Sequence, residues 1–148
     1  MVFRCGLPLA MSPLDLTLQV KVDDAVIAKL ESFNSVFGKN VIGFLTFYLQ
    51  SYKSTYNFDF APLHDPCAVY YIINPSAFTA NLRNVEIETK SEFSDGRTVV
   101  DEYGVTKRVK NCLVLSNMDT DAFWNDMFEA LIISNQNSPM NKEQDENT

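Results

Sequence analysis

The feature that most constrains the fold is a change in the spacing of apolar residues along the chain. Within residues 22–33, apolar side chains recur every three or four positions, which predicts one face of a helix. Residues 85–89 instead alternate with charged residues, which is typical of a half-exposed strand. Residues 94–96, Ser-Asp-Gly, have the composition of a turn, so residues 97–103 are predicted to return as the second strand of a hairpin.

Three more helices are predicted beyond the first one. Residues 39–54 are apolar on most sides, which indicates a helix that is buried or lines a pocket. Asp65 and Pro66 predict another helix start, with Asp65 as the N-cap and Pro66 in the first helical position. Asp119 is predicted to cap the last helix in the same way.

Helices that alternate with short apolar strands indicate an α/β fold. One such strand is predicted at residues 112–115, and neither an internal repeat nor a linker divides the chain. The predicted strands are too few to form a complete parallel sheet, so the pattern predicts part of a domain. Residues 135–148 are polar with few apolar side chains, and we expect them to form a disordered tail.

The charge balance and the cysteines restrict the class of partner and compartment. A net charge of −7 argues against a nucleic-acid partner, because phosphates require a basic face. No apolar run approaches the roughly 20 residues needed to cross a membrane. The chain has three cysteines, Cys5, Cys67 and Cys112, an odd number without CxxC spacing. This pattern predicts small buried thiols in a reducing compartment. We therefore expect a cytoplasmic protein.

His64 is the only histidine, and it precedes Asp65 at a predicted loop-to-helix junction. Histidine titrates near neutrality and can give or take a proton at working pH. These two residues alone leave two interpretations open. They are either a proton-transfer site, or a helix N-cap beside an ordinary loop residue.

Four stretches in the same order resemble the inosine/uridine-type nucleoside hydrolases. Residues 61–71 contain Pro-Leu-His-Asp-Pro-Cys-Ala-Val-Tyr and resemble that family's PLHDPCAVAY signature. Residues 3–17 resemble its FxSGxPLxMxPLDVT, residues 85–101 its VEVET…GxTVVD, and residues 119–124 its DxDxFW. The resemblance thus extends over residues 3–131.

The resemblance implies the fold of the family's C-terminal portion. Residues 1–134 would form the C-terminal part of a nucleoside hydrolase domain. That part is expected to be an open mixed, mostly parallel sheet with flanking helices and one β-hairpin.

The resemblance also implies an activity, which is hydrolysis of the N-glycosidic bond of ribonucleosides to ribose and free base. Such a reaction passes through an oxocarbenium-like sugar. By correspondence with the family motif, His64 would be the acid for the leaving base and Asp65 a calcium ligand. Tyr48 and Tyr52 lie one helical turn apart and would line the base pocket, although their spacing also fits core residues.

The sequence departs from the family in one respect that concerns the metal. Ca²⁺ takes roughly six to eight oxygen ligands, so Asp65 cannot hold it alone. The family supplies further carboxylates from an N-terminal DxDxGxDD segment, which this sequence does not contain.

Two expectations follow from that departure. This chain alone should be inactive or nearly so, and it should expose apolar surface that favours a homo-oligomer or association with an N-terminal half. The alternative is a non-catalytic remnant, or pseudoenzyme, that acts as an interaction module.

Overall fold

The computed structural model describes residues 2–142. Within them the chain forms five α-helices and six β-strands, together with three short 3-10 turns. The strands are β1 Ala10–Met11, β2 Lys21–Val22, β3 Ala61–Pro62, β4 Phe78–Ile87, β5 Thr98–Asp101 and β6 Cys112–Met118. The helices are α1 Leu14–Thr17, α2 Asp24–Leu30, α3 Val36–Tyr56, α4 Asp65–Ile73 and α5 Thr120–Asn137.

The main sheet is open and mixed, with the strand order β1-β6-β4-β5. The predicted hairpin is confirmed, since β4 and β5 are antiparallel and pair Val85 with Val100. Strand β6 runs parallel to β1 and antiparallel to β4. The mixed α/β class is thus confirmed, but within the four described strands of this main sheet only one of the three pairings is parallel. Residues 88–97 join β4 to β5, and this connection is shorter than the dozen or more residues that a crossover between parallel neighbours needs.

A second, two-stranded sheet pairs β2 with β3, with Val22 opposite Ala61. The pairing continues where Leu63 donates its backbone N–H to the Val20 carbonyl at 2.9 Å. Placing Val22 in a helix was therefore wrong. Helix α2 starts two residues later, at Asp24, because the Asp23 side chain accepts from the Val26 N–H at 2.9 Å and acts as its N-cap.

The largest core cluster joins α1, α4, α5 and β6. Its central ring is Phe123, which meets Tyr70 edge-on with ring centroids 5.1 Å apart. The seven buried members are Leu16, Val20, Cys67, Tyr70, Leu115, Met118 and Phe123. The chain that enters α4 at His64 therefore lies next to the largest core cluster, since Leu63 packs against it and Cys67 belongs to it.

Residues 135–142 continue the fold rather than starting a disordered tail. Helix α5 extends to Asn137, and the buried Ser138 leads into a 3-10 turn. The Asn141 side chain accepts from the Phe37 N–H at 3.1 Å and donates to the Asn135 carbonyl at 2.6 Å. The polar side chains predicted disorder here. One of them instead accepts a hydrogen bond from a backbone N–H in the first turn of α3, which has no partner within the helix. The rest of the predicted tail, 143–148, lies outside the described residues.

The three cysteines are free thiols. Cys67 and Cys112 are buried as predicted. Cys5 is exposed, contrary to that prediction, because it follows the N-terminal 3-10 turn outside the core clusters. Across residues 2–142, no helix combines the length and apolar character that a membrane span needs.

Candidate active site

His64 occupies the N-cap position of α4, and Asp65 is the first helical residue. The prediction that Asp65 caps this helix with its side chain was wrong, since neither residue makes a side-chain cap hydrogen bond. The Cys67 N–H donates to the His64 carbonyl at 3.3 Å, so the first turn closes one residue earlier than predicted. Both side chains are consequently free of capping.

Both ring nitrogens of His64 have a hydroxyl partner. Nδ1 lies 2.7 Å from Oγ1 of Thr17, and Nε2 lies 3.1 Å from the hydroxyl of Tyr52. Thr17 is 3% exposed, whereas His64 is only partly buried. Three distant segments thus fix the ring position, since Thr17 ends α1, Tyr52 lies in α3 and His64 precedes α4.

Tyr48 and Tyr52 lie side by side but have different partners. Their rings meet edge-on with centroids 5.0 Å apart. The Tyr48 hydroxyl donates to the Pro62 carbonyl at 2.9 Å. Burial raises the pKa of Tyr48 above its ordinary value, and the neighbouring Tyr52 and Asp65 raise it further, so the phenol stays neutral. Tyr48 therefore secures the chain before His64, while Tyr52 contacts the histidine itself.

Aromatic rings continue from Tyr52 along the end of α3 into the following loop. The Tyr56 ring lies 5.1 Å from that of Tyr52, and the Phe58 ring lies 6.5 Å from it. Phe60 stacks on Phe58 at 5.2 Å, and the Lys21 ammonium lies 4.5 Å above the Phe60 ring. Tyr56 and Phe58 are exposed. A planar heterocycle beside His64 would find stacking partners on this surface.

Asp65 is exposed and provides one carboxylate beside the histidine. Within residues 2–142, no group of three or more His, Cys, Asp or Glu side chains is placed to hold a metal ion. Ca²⁺ requires roughly six to eight oxygen ligands. The described residues therefore do not form a calcium site on their own.

Cys67 lies one turn into α4 and was predicted to be a packing residue. It is fully buried, and its thiol donates to the Leu63 carbonyl at 3.0 Å. Burial raises the pKa of this thiol to about 11. The neutral thiol fits a packing role and not that of a nucleophile.

Thr17 is the site residue that sequence reasoning missed. It ends the Pro-Leu-Asp-Leu-Thr stretch of the family resemblance, but no local pattern connects it to a residue 47 positions away. The only available signal was its place at the end of that stretch.

Comparison with known proteins identifies the family of this chain. The sequence model described as "Inosine-uridine preferring nucleoside hydrolase" matches residues 1–125. A probable ribonucleoside hydrolase of Dictyostelium discoideum is 37% identical over 136 residues, covering 88% of this chain and 40% of the relative. A pyrimidine-specific ribonucleoside hydrolase of Shewanella woodyi is 39% identical over 124 residues, covering 83% of this chain and 40% of the relative.

Solved structures agree with the sequence relatives. A purine-preferring ribonucleoside hydrolase from Gardnerella vaginalis superimposes with a TM-score of 0.75 and 27% identity, covering 88% of this chain and 41% of that chain. A plant nucleoside hydrolase shares the fold, with a TM-score of 0.74 and 20% identity, over 93% of this chain and 44% of its own. The chain spans about 40% of the length of the curated relatives it matches. This chain belongs to the inosine-uridine preferring nucleoside hydrolase family.

Proposed function

We propose that this chain supplies the base-facing part of a nucleoside N-ribohydrolase site, which splits a ribonucleoside into ribose and free base. The observation that carries the proposal is the His64 ring, held between two hydroxyls and bordered by exposed aromatic rings. Family membership supports the reaction class. The relatives are about two and a half times as long as the part that this chain matches, which supports an active site that needs residues beyond the described ones.

The proposed chemistry assigns His64 and Tyr52 to the leaving base. As the bond from C1′ to the base nitrogen breaks, the electron pair leaves with the base, which then needs a proton. A doubly protonated His64 donates through Nε2–H to the Tyr52 oxygen, 3.1 Å away. The Tyr52 O–H passes its proton to the base and takes the Nε2 proton of His64 in return. A water molecule adds its hydroxyl to C1′ and releases its other proton to solvent, from which His64 is protonated again.

We propose two supporting roles for neighbouring residues. Tyr48 and Tyr52 border the base, with Tyr48 acting through its bond to the chain before His64. Asp65 provides one ligand to a Ca²⁺ ion, whose other ligands must come from outside the described residues.

The free cysteines support a reducing compartment such as the cytoplasm.

The test is release of free base from uridine and from inosine. Both substrates are needed because the relatives include a pyrimidine-specific and a purine-preferring enzyme. The purified chain is assayed alone and with the separately expressed portion of the Shewanella woodyi enzyme that it does not match, each with and without Ca²⁺. We expect turnover only in the combined sample.

Substitutions identify which chain performs the chemistry. In the combined sample His64→Ala should lower kcat by about 10²- to 10⁴-fold, the usual contribution of a general acid. Tyr103→Phe is the control, because this exposed tyrosine lies away from the site. Unchanged base release in His64→Ala would refute the proposal. A stable assembled complex without turnover would favour a non-catalytic remnant.

A further inference from the structure

We infer that Thr17 is a positioning residue that holds the neutral ring of His64 as its Nδ1–H tautomer, with the Nε2 lone pair facing the Tyr52 hydroxyl. The meaning of this tautomer for catalysis rests on the proposed hydrolase function. The tautomer itself is a property of the folded chain and can be measured without turnover.

The hydrogen bonds around the ring favour one placement of the protons. The Thr17 hydroxyl lies 3.2 Å from the Leu14 carbonyl, which can only accept. If Thr17 donates to Leu14, its oxygen accepts from Nδ1–H at 2.7 Å. Nε2 then accepts from the Tyr52 hydroxyl at 3.1 Å. All three contacts are hydrogen bonds in this arrangement.

The opposite tautomer makes fewer hydrogen bonds. If Nε2 carries the proton, Nδ1 must accept from the Thr17 hydroxyl, and the bond to Leu14 is lost. The Tyr52 oxygen would then accept from Nε2–H, and its own proton would lose the partner at Nε2. Two hydrogen bonds replace three, so the network selects the Nδ1–H form.

Thr17 can impose this choice because its position is rigid. Its neighbour Leu16 is fully buried, and Thr17 is 3% exposed. The chain after Thr17 is tied to the chain before His64, since Val20 accepts from the Leu63 N–H at 2.9 Å. Strand β2 then pairs with β3. The two paired antiparallel segments therefore hold the Thr17 hydroxyl next to the His64 imidazole.

The contact with Thr17 also fixes which ring nitrogen is available to other groups. Nδ1–H is engaged by the Thr17 oxygen, so the lone pair of the ring lies at Nε2. That nitrogen faces Tyr52 and, in the proposed function, the leaving base. Thr17 thereby directs proton transfer to one side of the ring without contacting substrate.

The experiment is nitrogen-15 NMR of the full chain with labelled histidine. His64 is the only histidine, so its two ring nitrogens need no assignment by mutation. At a pH where the ring is neutral, we expect Nδ1 to show the shift of a protonated nitrogen and Nε2 that of a lone-pair nitrogen. A wild-type ring found predominantly as Nε2–H would overturn the inference.

Two variants isolate the hydroxyl, one that keeps the size of threonine and one that keeps its oxygen. Thr17→Val removes it and should move the population towards Nε2–H, whereas Thr17→Ser keeps it and should retain the wild-type shifts. Amide spectra establish that each variant is folded. A folded Thr17→Val with unchanged ring shifts contradicts the inference, and the wild-type spectrum decides the matter if that variant does not fold. Loss of base release with the tautomer retained would count only against the hydrolase function.

Discussion

The hydroxyl of Tyr52 lies 3.1 Å from Nε2 of His64, although Tyr52 belongs to α3 and His64 precedes α4. One helical turn earlier, the Tyr48 hydroxyl bonds to the Pro62 backbone instead. Two tyrosines that are equivalent by spacing therefore have different roles, one towards the histidine and one towards the chain that carries it.

Replacing each tyrosine by phenylalanine should separate these roles. Tyr48→Phe removes a hydrogen bond to the backbone and should lower the free energy of unfolding by about 0.5–1.5 kcal/mol. Tyr52→Phe should instead shift the ring nitrogens of His64, because Nε2 loses its donor. Urea unfolding measures the first effect and nitrogen-15 NMR the second. Unchanged ring signals in Tyr52→Phe would show that the contact is not made in solution.

Two glycines in α3 should respond to alanine in opposite directions. A Cβ at Gly38 would overlap the Phe33 carbonyl oxygen, whereas a Cβ at Gly43 would meet open space. Gly43→Ala should stabilise the chain by up to about 1 kcal/mol, the intrinsic helix preference of alanine. Gly38→Ala should destabilise it despite that preference, because backbone must move. Thermal unfolding of both variants tests this, and equal shifts would contradict the close approach to Phe33.

Removal of a core ring should affect stability far more than removal of a surface ring. Phe123 is 1% exposed and contacts both Tyr70 and Trp124. Phe123→Ala should therefore cost about 3–5 kcal/mol. Phe47→Ala removes the same group from a side chain that is 75% exposed and should change stability by less than about 0.5 kcal/mol. Comparable losses in denaturant unfolding would mean that the Phe123 cluster is not the core.

Thiol labelling should distinguish the cysteines by burial. At pH 8 we expect alkylation of Cys5 in the native chain and of all three thiols after denaturation. The pKa of Cys67 is raised from 9.0 to about 11, so the folded state favours its neutral form. This contribution to stability is present below pH 9 and is lost as pH rises towards 11, where the unfolded chain ionises more readily. Cys5→Ser should abolish native labelling, and rapid labelling of Cys67 would contradict its burial.

The chain should associate with itself at high concentration. Large apolar side chains are exposed on two helices, including Phe44 and Phe47 on α3 and Ile72 and Ile73 on α4. Contiguous exposed apolar surface promotes association. Light scattering should give a mass that rises with concentration and falls in Phe44→Ser combined with Ile72→Ser. A constant monomer mass at working concentration would refute this expectation.

Local patterns predicted most of the secondary structure. The hairpin follows from two-residue alternation around a Ser-Asp-Gly turn, and Asp119 caps α5 as predicted by accepting from the Ala122 N–H. The turn and the cap are both set by residues close to them in the chain. These features depend on neighbours within a few residues, which a sequence shows directly.

Features that depend on distant partners were not predictable from local patterns. Val22 has helical spacing with later residues, yet its pairing with Ala61 makes it a strand residue. Polar residues 135–142 suggested disorder, yet they bond to the start of α3. The contact of Thr17 with His64 likewise spans 47 positions. In each case tertiary contacts outweighed local propensity.

The two-residue pairing of β2 with β3 sets different tolerances for insertions on either side of it. Side chains alternate faces along a strand, so one added residue within 61–63 would rotate His64 away from both of its hydroxyl partners. The loop from Asn57 to Phe60 lies before that pairing and can lengthen without changing the direction of the histidine. Homologous chains that keep this site should therefore vary in length before Ala61 and stay constant from there to His64.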